Sequence, residues 1–306
     1  MRQNPVYSRE MKVSARSPRF PLILSLFNGI LCLAALINMY SVVLRVRTNA
    51  TIQYSSFMDL YEFVTSMEFL LLMFIVPAVT ASSISGERER HTLELMFTTK
   101  IRPVDIVIGK LASAFTHLMI LVFSSLPVLM LTFIYGSISS QDLFLLLFSY
   151  VTVALYCGSL GIFASSLMKR STFSNVITYG IMLVLVVGTY MLNVFLLRIS
   201  ETEINMMVLG AGETIPEPTS GAAVYLLLAN PAITFAQILE GQVAGGGGNF
   251  KIRNFLGSQA GNLITDHWVF FSLILQLVLS AIFIWGAVFF LEPVRRQKKA
   301  DLQSTR

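Results

Sequence analysis

Charged residues are scarce in this chain of 306 residues: Asp, Glu, Lys and Arg make up 13% of it, about half the share in soluble domains. Cysteine is scarcer still, with Cys32 and Cys157 only, both in apolar runs, which excludes a disulfide framework. The histidines, His91, His117 and His267, lie far apart and have no metal-ligand spacing. These shortages exclude an ordinary soluble enzyme and a small disulfide-bonded or zinc-bound domain.

Long apolar runs take the place of the missing charge: the chain is 55% hydrophobic, with a mean hydropathy of +0.70. A bilayer core about 30 Å thick needs roughly 20 apolar residues per helix. We predict six such helices, near 20–44, 61–84, 108–135, 143–167, 174–197 and 268–291. A membrane barrel would need strands of about ten alternating residues, which the sequence lacks. The predicted fold class is therefore all-α integral membrane, as one transmembrane domain over 1–306.

The basic residues predict the orientation in the membrane. If the N-terminus is inside, all but five of the 22 Lys and Arg residues lie in inner segments; the five are Arg45, Arg47, Arg198, Lys251 and Arg253. The positive-inside rule then places both termini in the cytoplasm. Because the basic residues flank spans and form no separate domain, they indicate an anionic lipid surface and no nucleic acid.

The region 199–267 is predicted to be extracellular. Within it, residues 221–239 are apolar enough for a seventh span, but Asn230-Pro231 lies in the middle, and Pro removes a backbone donor while restricting the preceding residue. A seventh crossing would also place the basic C-terminus outside. We predict instead two short re-entrant half-helices before the last span.

The first nineteen residues are predicted to form a helix on the inner membrane surface. Arg9, Lys12, Arg16 and Arg19 fall on one helix face. A disordered basic flank is the alternative.

The segment "SGERERHTLELMF", residues 85–97, concentrates charge between the second and third spans. Read as one helix, it has a stripe of alternating sign, Glu87, Arg90 and Glu94, with Glu89 beside it. Its apolar patch consists of Leu93, Met96 and Phe97. Such a helix is suited to bind against another surface, and 85–107 is predicted to be cytoplasmic. A solvated turn is the alternative.

Glu68 lies inside the second predicted span, where an ionisable group costs about 2.5–3.5 kcal/mol on insertion scales. It should therefore face protein or a water-filled path. Two interpretations stay open: a residue that lines a transport path, and a structural carboxyl bonded to a neighbouring helix.

Ser159 lies in a predicted span and His267 begins another, which raises the alternative of an intramembrane serine protease. No nucleophile motif surrounds Ser159. The small residues Ala154, Gly158 and Gly161 recur there at helical spacing, which favours close helix packing in lipid.

Residues 76–111 resemble the second-to-third-span region of ABC-2 type transporter permeases. That family has a P-x-x-x-A-x-x-I segment, then E-R-E-x-G-T-L-E-x-L and a G-K pair. The matching residues here are Pro77, Ala81, Ile84, Glu87, Arg88, Glu89, Thr92, Leu93, Glu94, Gly109 and Lys110. Segments 4–20 and 229–242 also resemble the family's N-terminal surface segment and its outer half-helix region. His91 departs from the pattern, since the family commonly has Gly there.

The resemblance implies that 85–97 is a coupling helix that binds a separate cytoplasmic ATPase. The implied interface residues are Glu87, Arg88, Glu89, Arg90, His91, Leu93, Glu94, Met96 and Phe97. Leu111 follows Gly109-Lys110, and Val104 stands where a Walker A motif has its first Gly, so this chain should have no ATPase site and no cofactor of its own. ATP and magnesium should be bound by the partner.

The resemblance also implies a bacterial cytoplasmic-membrane exporter made of two permease chains, identical or paralogous. The main alternative is a non-ABC secondary transporter. That class should show internal repeats with paired broken helices and several buried charges, whereas only Glu68 is found here.

Overall fold

The computed structural model describes residues 4–49, 55–98, 101–136, 139–208, 218–243 and 262–304, and nearly all of them are helical. The α-helices in chain order are α1 Pro5–Arg16, α2 Arg19–Asn49, α3 Ser55–Thr80, α4 Ser85–Glu89, α5 Thr92–Thr98, α6 Pro103–Gly136, α7 Ser140–Leu167, α8 Ser171–Leu183, α9 Thr189–Val208, α10 Pro231–Val243, α11 Leu263–Asp266 and α12 Trp268–Ser304. A π-helical turn, Val184–Gly188, joins α8 to α9, and a 3₁₀ helix, Gly221–Ala229, precedes α10.

Six helical segments of the described chain are long and apolar enough to cross a membrane. They are Phe20–Ser41, Met58–Glu89, Pro103–Pro127, Ser140–Leu167, Ser171–Met206 and Trp268–Leu291. The all-α membrane fold predicted from hydropathy is confirmed. The fifth segment continues beyond its predicted end at residue 197 as a polar helix end, in which Arg198 and Glu201 pair at 3.2 Å one turn apart.

The chain packs as two compact units, Met1–Tyr179 with Leu279–Arg306, and Gly180–Val278. In the first unit, α3 packs against α2, α6 and α7. A Cβ on Gly161 would overlap the Thr80 hydroxyl and would lie 3.2 Å from the backbone nitrogen of Ala81. The small residues predicted to allow close packing in α7 therefore do so against the end of α3.

The N-terminal segment forms the predicted helix, α1, which packs on α6. Its first turn is capped by Asn4, whose side chain accepts from the Val6 backbone and donates to the Asp105 carbonyl at 2.7 Å. Val6 is buried against Gly109, where a Cβ would lie 2.8 Å from the Val6 Cβ. Glycine at this position allows α1 to approach α6 closely.

In the second unit, the 3₁₀ helix and α10 meet at a bend of 94°. Asn230 holds this bend: its amide nitrogen donates to the Val186 carbonyl at 2.8 Å, and its amide oxygen accepts from the backbone of Ala232 at 3.0 Å. Trp268 is fully buried beside Ile233 in the core of this unit. The break predicted at Asn230-Pro231 is therefore a sharp bend that specific hydrogen bonds and a buried core stabilise.

Candidate functional site

The charged segment 85–98 forms two short helices, α4 and α5, where the sequence predicted one. Between them, His91 adopts a φ of 57°, in the left-handed region that favours glycine. The Thr92 hydroxyl donates to the Glu87 carbonyl at 3.1 Å and so closes the turn. Because the helix is interrupted at His91, Glu87, Arg90 and Glu94 do not form one continuous stripe, and that prediction is wrong.

The apolar patch of this segment points into the chain's own core. Leu93, Met96 and Phe97 are 1%, 8% and 7% exposed. They pack with residues of α1, α6, α7 and α12, among them Val6, Ile106, Ile162 and Leu291. The expectation that these three side chains bind an ATPase does not agree with this burial, because their apolar surface is already covered within the chain.

The outward surface of the segment, here called the exposed tip, consists of Glu89, Arg90, His91, Glu94 and Leu95. The side chains of His91 and Glu94 are 83% and 51% exposed. Leu95 is 66% exposed and lies on the side of α5 opposite the buried patch. The sequence analysis did not select Leu95. Its position in the helix, on the side opposite Leu93 and Met96, could have predicted that it is exposed.

Arg88 ties α4 to the end of α7. Its two terminal nitrogens donate to the carbonyls of Ser166 and Met168, each at 3.1 Å. These carbonyls belong to the last turn of α7, whose backbone acceptors lack helical partners. Arg88, predicted as a docking residue, therefore makes an internal contact.

Ser165 fastens the start of α4 to the same place. Its hydroxyl oxygen accepts from the backbone nitrogens of Ile84 at 2.9 Å and Ser85 at 2.8 Å. Next to it, the Ser171 hydroxyl at the start of α8 donates to Glu89 at 2.6 Å. Both ends of α4 are thus joined to the α7–α8 junction.

A buried lysine joins α4 to α1 and α6. Lys110 Nζ lies 3.0 Å from Glu10 Oε1 and 3.0 Å from Glu87 Oε1, and its side chain is 4% exposed. Arg9 adds a longer contact to Glu87, at 3.8 Å. The sequence analysis placed Lys110 in the family's G-K pair and Glu87 in the docking surface, and it did not predict this ion cluster.

Glu68 is completely buried between α3 and α6. Its Oε1 makes a short hydrogen bond with the Ser125 hydroxyl, which also lies 2.8 Å from the Val122 carbonyl. The Ser125 hydroxyl donates to Glu68, so the carboxyl is bonded to the neighbouring helix α6. This geometry favours the structural interpretation of Glu68 over the transport-path one.

Ser159 is also a packing residue, since its hydroxyl donates to the Tyr156 carbonyl at 2.9 Å within α7. Within the described residues, no group of His, Cys, Asp and Glu could hold a metal ion.

The comparison with protein families agrees with this architecture. Residues 5–292 match the model for the ABC-2 family transporter protein. No curated protein gives a significant match to the chain. The match covers the predicted spans, the segment 85–98 and the bent half-helices together, which decides against the secondary-transporter alternative. The chain therefore belongs to the ABC-2 family of transporter proteins, and it is a multi-pass membrane permease of the ABC transporter class.

Proposed function

We propose that this chain is one half of an ABC exporter, driven by a separate ATPase that binds the exposed tip. Two permease chains, identical or paralogous, would enclose the transport path in a bacterial cytoplasmic membrane. ATP and magnesium would be bound by the ATPase. The observation that carries the proposal is a charged, solvent-exposed tip with one exposed leucine. Hydrogen bonds and ion pairs of Arg88, Ser165 and Lys110, here called the base, join this tip to the spans.

The base explains how motion at the tip reaches the spans. Arg88 and Ser165 join α4 to α7, and Lys110 joins it through Glu87 to α1 and α6. The buried patch of α5 adds apolar contact with the same helices. A force on the tip is therefore transferred to several spans together, as a permease coupled to ATP hydrolysis requires.

The tip suits a protein partner because it combines an apolar anchor with charges. Interface energy is concentrated in a few buried side chains, while rim charges mainly tune specificity and rate. Leu95 is the anchor, and Glu89, Arg90, His91 and Glu94 form its charged surroundings.

The test compares Leu95→Ala with Leu93→Ala in the full chain, using the ATPase that co-purifies with the wild type. Leu95→Ala should remove the ATPase without lowering the thermal stability of the permease. Leu93→Ala should lower that stability, because truncation of a buried leucine costs about 2–5 kcal/mol. Glu94→Lys should weaken co-purification in a salt-dependent way.

The docking proposal fails if no ATPase co-purifies with the wild-type chain, or if Leu95→Ala retains it fully. ATP hydrolysis by the purified complex is the second readout, and it should fall together with co-purification.

The proposed orientation is tested by cysteine labelling of intact cells in a Cys32→Ser background, because Cys32 is exposed and Cys157 is buried. A membrane-impermeant reagent should label Ser200→Cys and leave Ser304→Cys unlabelled until the cells are opened. Labelling of Ser304→Cys from outside would contradict the cytoplasmic location of the C-terminus.

A further inference from the structure

A cavity of about 660 Å³ lies in the first unit, bounded by α1, the start of α2, the end of α3, α4 and α6. Its volume is in the range of small-molecule sites, about 300–1,000 Å³. The family match and the proposed function give this cavity no role. We call it the inner cavity.

The wall that α6 contributes changes from charged to apolar along its length. In order, the lining residues are Lys110, Ser113, Ala114, His117, Leu118 and Leu121. From Lys110 to Leu121 this wall is about 16 Å long, at a rise of ~1.5 Å per residue. On the opposite side, Ile75 and Val79 of α3 face the apolar end, and Ser82 and Ser83 follow toward the polar end. The inner cavity therefore has a polar end near Lys110 and an apolar end near Leu121.

The charges at the polar end balance. The lining includes the cations Arg9, Arg90 and Lys110 and the anions Glu10, Glu87 and Glu89. Lys110 is enclosed by carboxylates, whereas the Arg9 side chain is 53% exposed and Arg90 is also exposed. The Glu10 side chain is 32% exposed, and Glu89, which accepts from Ser171, is also exposed. Guanidinium groups bind phosphate well, and carboxylates accept from ammonium donors. The polar end thus offers partners to both charges of a zwitterion.

His117 lies on the α6 wall between the polar end and the apolar end. Its Nδ1 lies 2.6 Å from the Ser113 carbonyl, and its Nε2 lies 2.5 Å from the Ser14 hydroxyl. Phe20 contacts the same ring edge-on, at 4.5 Å between centroids. Beyond His117 the α6 wall is aliphatic.

The inner cavity lies where three spans meet the membrane boundary. The span segments Phe20–Ser41 and Pro103–Pro127 begin there, and Met58–Glu89 ends there. Its polar end is therefore at headgroup level, and its apolar end reaches into the hydrocarbon layer.

We propose that the inner cavity binds a zwitterionic phospholipid of the phosphatidylethanolamine class, taken from the adjoining leaflet. The phosphate contacts Arg9, the ammonium group contacts Glu10, and one acyl chain lies along Leu118 and Leu121. The lipid fills the gap between α1 and the spans on the side that carries the exposed tip. This inference does not depend on the partner ATPase.

The test uses the full chain in phosphatidylcholine nanodiscs, with a trace of phosphatidylethanolamine that carries a photoreactive acyl chain. Adducts are expected on the peptide that contains Leu118 and Leu121. Unlabelled phosphatidylethanolamine should remove them at roughly one tenth of the mole fraction that phosphatidylglycerol requires. The soluble headgroup, glycerophosphoethanolamine, should not displace the probe, because the acyl chain contributes to binding.

Two tryptophan substitutions on α3 provide a matched pair. Val79 lines the inner cavity and is 37% exposed, whereas Leu70 is 50% exposed and is not among the lining residues. Val79→Trp should lower the adduct yield roughly tenfold, and Leu70→Trp should leave it unchanged. If Val79→Trp does not fold, Val13→Trp, at a lining position that is 60% exposed, serves in its place.

Three results would overturn the proposal. One is the absence of adducts on the Leu118–Leu121 peptide, and another is equal loss of adducts in Val79→Trp and Leu70→Trp. The third is competition by phosphatidylglycerol or by the free headgroup that equals competition by phosphatidylethanolamine.

Discussion

The ion cluster around Lys110 should decide whether α1 and α4 stay attached to the spans. Lys110→Met keeps much of the side-chain volume but removes the charge that separates Glu10 from Glu87. Since each carboxylate oxygen lies 3.0 Å from the same nitrogen, the two oxygens are no more than about 6 Å apart. At an effective dielectric constant of about 20, their repulsion is about 3 kcal/mol.

Water reduces this figure, because the Glu10 side chain is 32% exposed. We therefore expect Lys110→Met to lower the free energy of unfolding by about 2–3 kcal/mol. For a chain of this size, that corresponds to a fall in Tm of roughly 3–5 °C. The measurement is thermal unfolding of the purified full chain, followed by loss of the monodisperse peak in size-exclusion chromatography.

Two further variants separate charge repulsion from other effects. Lys12 lies on α1 and is exposed, so Lys12→Met should change stability by less than about 0.5 kcal/mol. Adding Glu87→Gln to Lys110→Met should recover most of the lost Tm, because one of the two like charges is gone. The reasoning is refuted if Lys110→Met unfolds at the wild-type temperature, or if the double variant is no more stable than Lys110→Met.

Three other predictions concern buried positions. Glu68→Gln keeps an oxygen that accepts from Ser125, so Tm should stay within about 2 °C of wild type and transport should persist. Lost transport with intact assembly would instead support the transport-path role. Gly161→Val should lower the free energy of unfolding by more than about 3 kcal/mol and block assembly of the spans, because the valine side chain would overlap Thr80. Normal thermal stability of this variant would contradict the packing of α7 on α3. Gly109→Ala should loosen α1 and increase protease cleavage within the first sixteen residues, with the spans still inserted; an unchanged cleavage rate would show that α1 does not need this close approach.

The spans and the bend at Asn230-Pro231 could be predicted from the sequence, because both depend on local chemistry. A run of about 20 apolar residues has one stable location in a bilayer, whatever surrounds it. Proline lacks a backbone donor in any context, so the sequence alone predicts the break. The hydrogen bonds by which Asn230 stabilises it come from the structure. The recurrence of small residues in α7 likewise predicted close packing, although not the contact between Gly161 and Thr80.

The direction in which segment 85–98 faces depended on the tertiary structure. Helical periodicity showed that Leu93, Met96 and Phe97 share a face, but it could not show what covers that face. An apolar surface is stabilised equally by a partner protein and by the chain's own core, and here the core covers it. Because the core covers Leu93, Met96 and Phe97, Leu95 on the opposite side of α5 is the leucine that stays exposed.

Charge pairing was likewise decided only by the fold. Glu87, Arg88 and Lys110 look like solvated charges in the sequence, since each is near a membrane boundary where charge is expected. The folded chain brings Lys110 between Glu10 and Glu87 and places Arg88 on the last carbonyls of α7. Coulombic and hydrogen-bond energies depend on distances of a few ångströms between residues far apart in sequence, and only the packing of α1, α4, α6 and α7 determines those distances.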